Sequence, residues 1–192
     1  MYVRDAKNRE EVWLLDHIEA MSLDGQAFRS RDYVIAIDEE SNAKAGFGRY
    51  RVHTTDDGEV CELTSIGVLD GWRGQGVGAH VIERLVTTAG AQGFDLVYAL
   101  ADQPNYLTQF GFEAIERDRL PEVLRKRLDE KRETTTPDAI PLRLQVERFR
   151  MPEELRERFK VAAERSEPEP EESPEDFGID SETATYKYDT GG

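Results

Sequence analysis

The sequence predicts one mixed α/β domain of the α+β kind, and three observations carry that prediction. Residues 33–68 hold three apolar runs in strand rhythm, separated by polar, turn-forming residues. A glycine-rich loop at 71–78 leads into an amphipathic helix, and a further apolar strand follows at 95–100. Hairpins first and a βαβ unit afterwards make a mixed, mostly antiparallel central sheet of about six to seven strands, flanked by helices. Its strands at 60–68 and 95–100 run parallel.

Taken in order, Tyr2 to Ala6 is a short strand, and Asn8 with Glu11 forms an N-cap and capping-box pair. Val12, Leu15 and Ile18, with Leu14 as a further candidate, recur at helical spacing as far as Ala20, whereas Ser22 to Asp32 has no period and reads as loop. Strands follow at 33–37, 45–53 and 60–68, joined by Glu40-Ser41-Asn42 and Asp56-Asp57-Gly58 as a meander. A helix from Val77 to Gln92 stops at Gly93, a natural position for a left-handed residue. Pro104 opens a short helix closed by Gly111, and a strand runs from Phe112 to Arg117. Pro121 starts a charged helix that reaches Glu133, and alternation from Ile140 to Val146 gives a half-buried last strand. Residues 1–150 thus form the domain, 151–165 a polar helical extension, and 166–192, rich in Glu, Pro, Ser and Asp, an acidic disordered tail.

The 192 residues carry 25 Lys and Arg against 40 Asp and Glu, a formal charge of -15. Such an excess repels nucleic acid and anionic membrane, so neither is an expected partner. The Arg-rich, acidic balance resembles that of proteins adapted to concentrated salt, where a short Debye length screens self-repulsion. Cys61 stands alone, which excludes an internal disulfide and a Cys-rich zinc site, and the three histidines have no metal-ligand spacing. With no signal-peptide pattern and no apolar run of spanning length, a cytoplasmic location is expected. A homodimer is one of the oligomeric states open to such a domain.

The stretch from Leu69 to Gly78 places glycines between a strand and a helix, where unpaired N–H groups and the positive end of the helix dipole receive an anion. Its spacing is wrong for a dinucleotide fingerprint, and it lacks the Gly-Lys-Ser/Thr of a P-loop. The strand from Cys61 to Val68 followed by Trp72-Arg73-Gly74-Gln75-Gly76-Val77-Gly78 resembles the signature of the GNAT N-acetyltransferase superfamily. Gly111-Phe112 is similar to that family's later Gly-Phe landmark. The resemblance implies the GNAT fold, in which the parallel strands at 60–68 and 95–100 splay apart to leave a slot, and acetyl-CoA as co-substrate, without a metal. It implies that Ile66, Gly67 and Val68 pair with the pantetheine arm, and that N–H groups from Arg73, Gly74, Gln75, Gly76, Val77, Gly78 and Ala79 hold the pyrophosphate.

The same resemblance offers Glu62 as general base and the Ile66 N–H as oxyanion donor. Period-two alternation puts Glu62, Thr64 and Ile66 on one strand face. Many family members carry a general-acid Tyr five residues before the landmark Phe; here Leu107 stands there, and its neighbour Tyr106 reads as a packing aromatic. Residues 106–133 also resemble amino-acid acetyltransferases of the N-acetylglutamate synthase type, which implies that Arg117, Arg119, Arg125 or Lys126 meets a substrate carboxylate. The expected reaction is acetyl transfer to a primary amine of a small molecule or amino acid. Two readings stand beside it: a protein N-terminal or lysine acetyltransferase, and a non-catalytic CoA-binding sensor or interaction module.

Overall fold

A computed structural model describes residues 1–165, so the acidic tail expected at 166–192 lies outside the described residues. The elements are β1 (Tyr2–Asp5), α1 (Glu11–Ala20), β2 (Tyr33–Ile37), β3 (Lys44–Thr55), β4 (Gly58–Val68), α2 (Val77–Ala91), β5 (Leu96–Ala101), α3 (Pro104–Thr108), β6 (Glu113–Ala114), α4 (Glu122–Glu133), β7 (Ile140–Gln145) and α5 (Glu153–Lys160). Among the described residues the strands form one seven-stranded sheet in the order β1-β2-β3-β4-β5-β7-β6. Only β4 and β5 pair in parallel, and they do so at two positions, Glu62 with Tyr98 and Leu63 with Ala99. Beyond Leu63 they part.

Alternation along the strands decides which helix covers which face. Val34 and Ala36 of β2, Cys61 and Leu63 of β4, and Val97 and Ala99 of β5 join the core under α2, to which that helix adds Val81, Ile82, Leu85 and Val86. Burying each of these larger apolar side chains stabilises the fold by about 1.5–3 kcal/mol. On the opposite face Leu14 and Ile18 of α1 pack on Tyr33, Ile35, Ile37 and Phe47, while Leu124 and Leu128 of α4 pack on Tyr98 and Leu100. Glu62 and Thr64 alternate with Cys61 and Leu63, so they point to this second face, into the gap between α1 and α4.

Three local expectations are corrected. The carboxylate that caps the entry to α1 belongs to Glu10, which accepts the Lys7 N–H at 2.7 Å and two bonds from Arg4, because a short 3-10 turn at Asn8–Glu10 precedes the helix. The strand expected at 112–117 shrinks to Glu113–Ala114, since its pairing with β7 ends where Arg117–Arg119 turns. Ile66 does not share a face with Glu62. Phe47 pairs with Gly67 and Arg49 with Thr64, so Gly48 alone faces both Ser65 and Ile66. That β-bulge, with Ser65 at φ 52°, inverts the alternation and turns Ile66 toward the α2 core.

Candidate active site at the parting of β4 and β5

Where β4 leaves β5, a cavity of about 990 Å³ opens between β4, the end of α1 and the head of α2. Of the residues singled out in the sequence, Ile66, Gly67, Val68, Arg73, Gly74, Gly76, Val77 and Gly78 border it. Gly76 caps α2 at φ 76°, and the amides of Val77, Gly78 and Ala79 head the helix without an intrahelical carbonyl to bond. Two expected members stand back from the cavity. Ala79 is fully buried in the core, and the side chain of Gln75 turns inward to bond the Gly71 carbonyl at 3.1 Å. Arg73 lies at the rim and pairs with Asp70 at 3.1 Å.

A second cavity of about 390 Å³ lies on the β5 side, bordered by Asp24, Thr64, Ser65, Leu107, Phe112 and Lys131 among others. The two cavities share Leu23, Ile66, Val68, Gly78, Gln103 and Tyr106. They therefore meet at the bulge. Tyr106 is 38% exposed, and its hydroxyl reaches over Gly78, 3.0 Å from where a β-carbon there would stand. Burial pushes that phenol up to about 12, so it remains protonated across the physiological range. Leu107, in the family's usual Tyr position, packs into the core instead.

Glu62 is completely buried beside this second cavity rather than open to it. Its Oε1 accepts His53 Nε2 at 2.9 Å and Arg127 Nε at 3.3 Å, and Lys131 Nζ stands 3.6 Å from Oε2. Burial alone would raise this carboxyl, but the bond from His53 and the charges of Lys131 and Arg127 overcome it and hold it down to about 2. Lys131 in turn donates to Thr64 Oγ1 at 3.1 Å and to the Leu100 carbonyl at 3.2 Å. Its burial draws the ammonium below its ordinary value in spite of Glu62. Arg127 also binds Asp24 and reaches Gln26 Oε1 at 2.7 Å, and Asp24 accepts that contact from the loop at 22–32.

The basic residues singled out from sequence are not those at the cavity. Arg117 pairs with Asp129 and Lys126 with Glu122 on the exposed side of the helix region. Arg127 and Lys131 were missed, although their spacing of four is the helical repeat that marks one face. Taken with Leu124 and Leu128, that spacing places both cations on the buried flank of α4. Cys61 is fully enclosed and burial pushes its thiol up, which removes it as a nucleophile. Among the described residues no helix is long and apolar enough to cross a membrane.

The family model described as acetyltransferase (GNAT) family matches residues 2–112, more than half of the chain, and the chain belongs to that family. Among solved structures it is similar to N-acetylglutamate synthase from Neisseria gonorrhoeae in complex with coenzyme A and N-acetyl-glutamate, at 17% identity and a TM-score of 0.60. That likeness covers 75% of this chain and 34% of the synthase, so the chain spans about a third of the length of that relative. It is also similar to Rv2747 from Mycobacterium tuberculosis, in complex with CoA and NLQ, at 15% identity and a TM-score of 0.60, over 76% of this chain and 99% of the other. Arabidopsis thaliana Naa50, bound to the bisubstrate analogue CoA-Ac-MVNAL, matches at 13% identity and 0.51, over 73% and 95%. At these identities the likeness establishes the fold.

Proposed function

We propose that the protein transfers the acetyl group of acetyl-CoA directly to the primary amine of a small molecule, an amino acid in particular. The observation that carries this reading is the meeting of the two cavities at Ile66 and Tyr106. The larger accepts the coenzyme, with its diphosphate at the head of α2 and its pantetheine arm along the open edge of β4. The smaller accepts the amine. Its wall joins apolar side chains to Asp24 and Asp102, which suit an ammonium, and to Lys131, which would exchange its bond to Thr64 or Leu100 for an acceptor carboxylate, a combination that favours an amino acid over a plain amine.

In this scheme the amine lone pair attacks the thioester carbonyl, the Ile66 N–H receives the developing oxyanion, and the C–S bond breaks as the amide forms. The amine proton passes to water. Tyr106 faces the departing sulfur as a hydrogen-bond donor. An ordinary thiol has a pKa near 8.5, well below the raised phenol, so the tyrosine stabilises the thiolate without surrendering its proton. Glu62 serves the reaction through its neighbours. A carboxyl held near 2 is a poor base at neutrality, whereas one bonded to His53, Arg127 and Lys131 orients the cations beside the acceptor cavity.

Thiol release from acetyl-CoA against free amino acids, their amides and short peptides tests the reading. Saturable turnover with amino acids, and a raised KM for the amides, is expected. Turnover of peptides alone would move the assignment to a protein N-terminal acetyltransferase, and binding without turnover would leave a CoA-binding module. The same assay separates the two parts open to Glu62: a direct base imposes its own acidic limb on kcat/KM, and Glu62→Gln erases that limb.

A further inference from the structure

The chain beyond β7 does not stop at the sheet. It returns across the glycine loop, outside the span that the family model matches. We propose that residues 153–165 form a strap that holds the phosphate loop in its anion-receiving shape and supplies one wall of the coenzyme cavity, an inference that rests on the coenzyme A reading above.

Four contacts build the strap. Phe159 of α5 stacks on His80 of α2 with ring centroids 3.8 Å apart and planes 8° from parallel. His80 Nδ1 in turn bonds the carbonyl of Gly76, the residue that caps α2, at 2.8 Å. Gln75 donates from Nε2 to the Ala163 carbonyl at 2.8 Å and accepts the Ala163 N–H on Oε1 at 3.0 Å, while it closes its own loop on Gly71. The Arg165 N–H donates to the same Gly71 carbonyl at 2.9 Å. The fourth contact is the weak one from Arg158 Nη1 to the Gly74 carbonyl, at 3.4 Å. Leu155 completes the arrangement as part of the cavity wall.

Two loop glycines record how closely the strap lies. Gly76 has φ 76°, and a β-carbon there would collide with the Leu155 carbonyl. Gly71 has φ 82°, and a β-carbon there would stand 2.7 Å from the Arg165 carbonyl. Each is needed as glycine both for its left-handed backbone and for the backbone lying against it.

The physical reason for a strap is entropic. A loop with three glycines in left-handed conformation, at 71, 74 and 76, has many other shapes open to it, and an anion would have to bear the cost of selecting one. Contacts that select the shape beforehand leave the amides of α2 aimed before the coenzyme arrives. The groups so aimed face phosphate, not pantetheine. The strap therefore acts on the phosphate-bearing half of the ligand.

Phe159→Ala and Gln75→Leu test this from two sides of the contact, and Phe159→Tyr is the conservative rescue. Calorimetry with CoA and with 3′,5′-ADP is expected to show about tenfold weaker binding for the first two variants and near-wild-type binding for the third. With acetyl-pantetheine, which has no phosphate, kcat/KM is expected to stay within about twofold. Unchanged CoA affinity in both variants, or equal losses with and without phosphate, overturns the strap while leaving the acetyltransferase reading intact. A wild-type protein that binds no CoA overturns both. Thermal melts of each variant identify any that has lost its fold, and Gln75→Leu, which removes no core ring, then decides.

Discussion

Lys131 Nζ lies 3.6 Å from the buried carboxylate of Glu62, across the 69 positions between α4 and β4, with Thr64 and Leu100 taking its other bonds. Glu62 has no water to fall back on, and Lys131 meets it only through the smaller cavity. Replacing Glu62 with Gln is expected to cost about 3–5 kcal/mol of folding stability, because Lys131 is left buried without its counter-charge and Arg127 keeps only Asp24. Urea denaturation measures it. In a Lys131→Met background the same substitution is expected to cost less, and a double-mutant cycle that shows no coupling refutes the pairing.

Acid should act through the same carboxyl. Glu62 sits near 2 in the fold against an ordinary 4.5, and Glu10, bonded by Arg4, is likewise lowered to about 2. A carboxyl lowered on folding contributes stability that is full above its unfolded value and lost as pH falls toward its folded one. The melting temperature is expected to drop between about pH 4.5 and 2, with a shallower drop in Glu62→Gln. A flat profile over that window would show that the carboxyl is not held as described.

Tyr106→Phe removes one hydroxyl from the junction of the two cavities. If that hydroxyl bonds the leaving thiolate, kcat falls about 10–100-fold, the worth of one hydrogen bond to a charged group, while the KM for acetyl-CoA barely moves. Equal kcat in the two proteins would return Tyr106 to a packing role. Leu107→Tyr is expected to give no rescue, since residue 107 points into the core.

The bulge at Ser65 makes a separate prediction. At φ 52° a β-branched side chain is strained, so Ser65→Val is expected to lose about 1–3 kcal/mol, and Ser65→Gly to be tolerated apart from the lost bond to the Asp24 carbonyl. If valine proves neutral in chemical denaturation, the strand does not bulge there.

Much of the site was legible in the sequence because it is local chemistry. Glycines at 74, 76 and 78 before an amphipathic helix announce a helix head open to an anion, and the apolar runs at 33–37 and 95–100 mark strands buried on both faces. Glu62 was legible as a strand carboxylate but not as a partnered one, since His53 lies nine positions away on the neighbouring strand and Arg127 sixty-five away. Tyr106 was discounted because its place relative to the Gly-Phe landmark is off by one. Only the packed helix α3 shows which way its ring turns.

What the sequence determined by itself was the order of elements, the glycine loop and the family they belong to, because each depends on residues within a few positions of one another, and the parallel pair, because a strand, helix and strand in succession return the chain in the same direction. Tertiary structure decided the rest: the bulge that inverts the alternation at Ile66, the four-cornered charge cluster about Glu62, and the return of α5 over the loop. Gln75 and Ala163 are 88 positions apart. Whether a polar side chain at that separation meets a partner or meets water depends on how the whole sheet twists and which helices cover it, and no local pattern of residues encodes that distance.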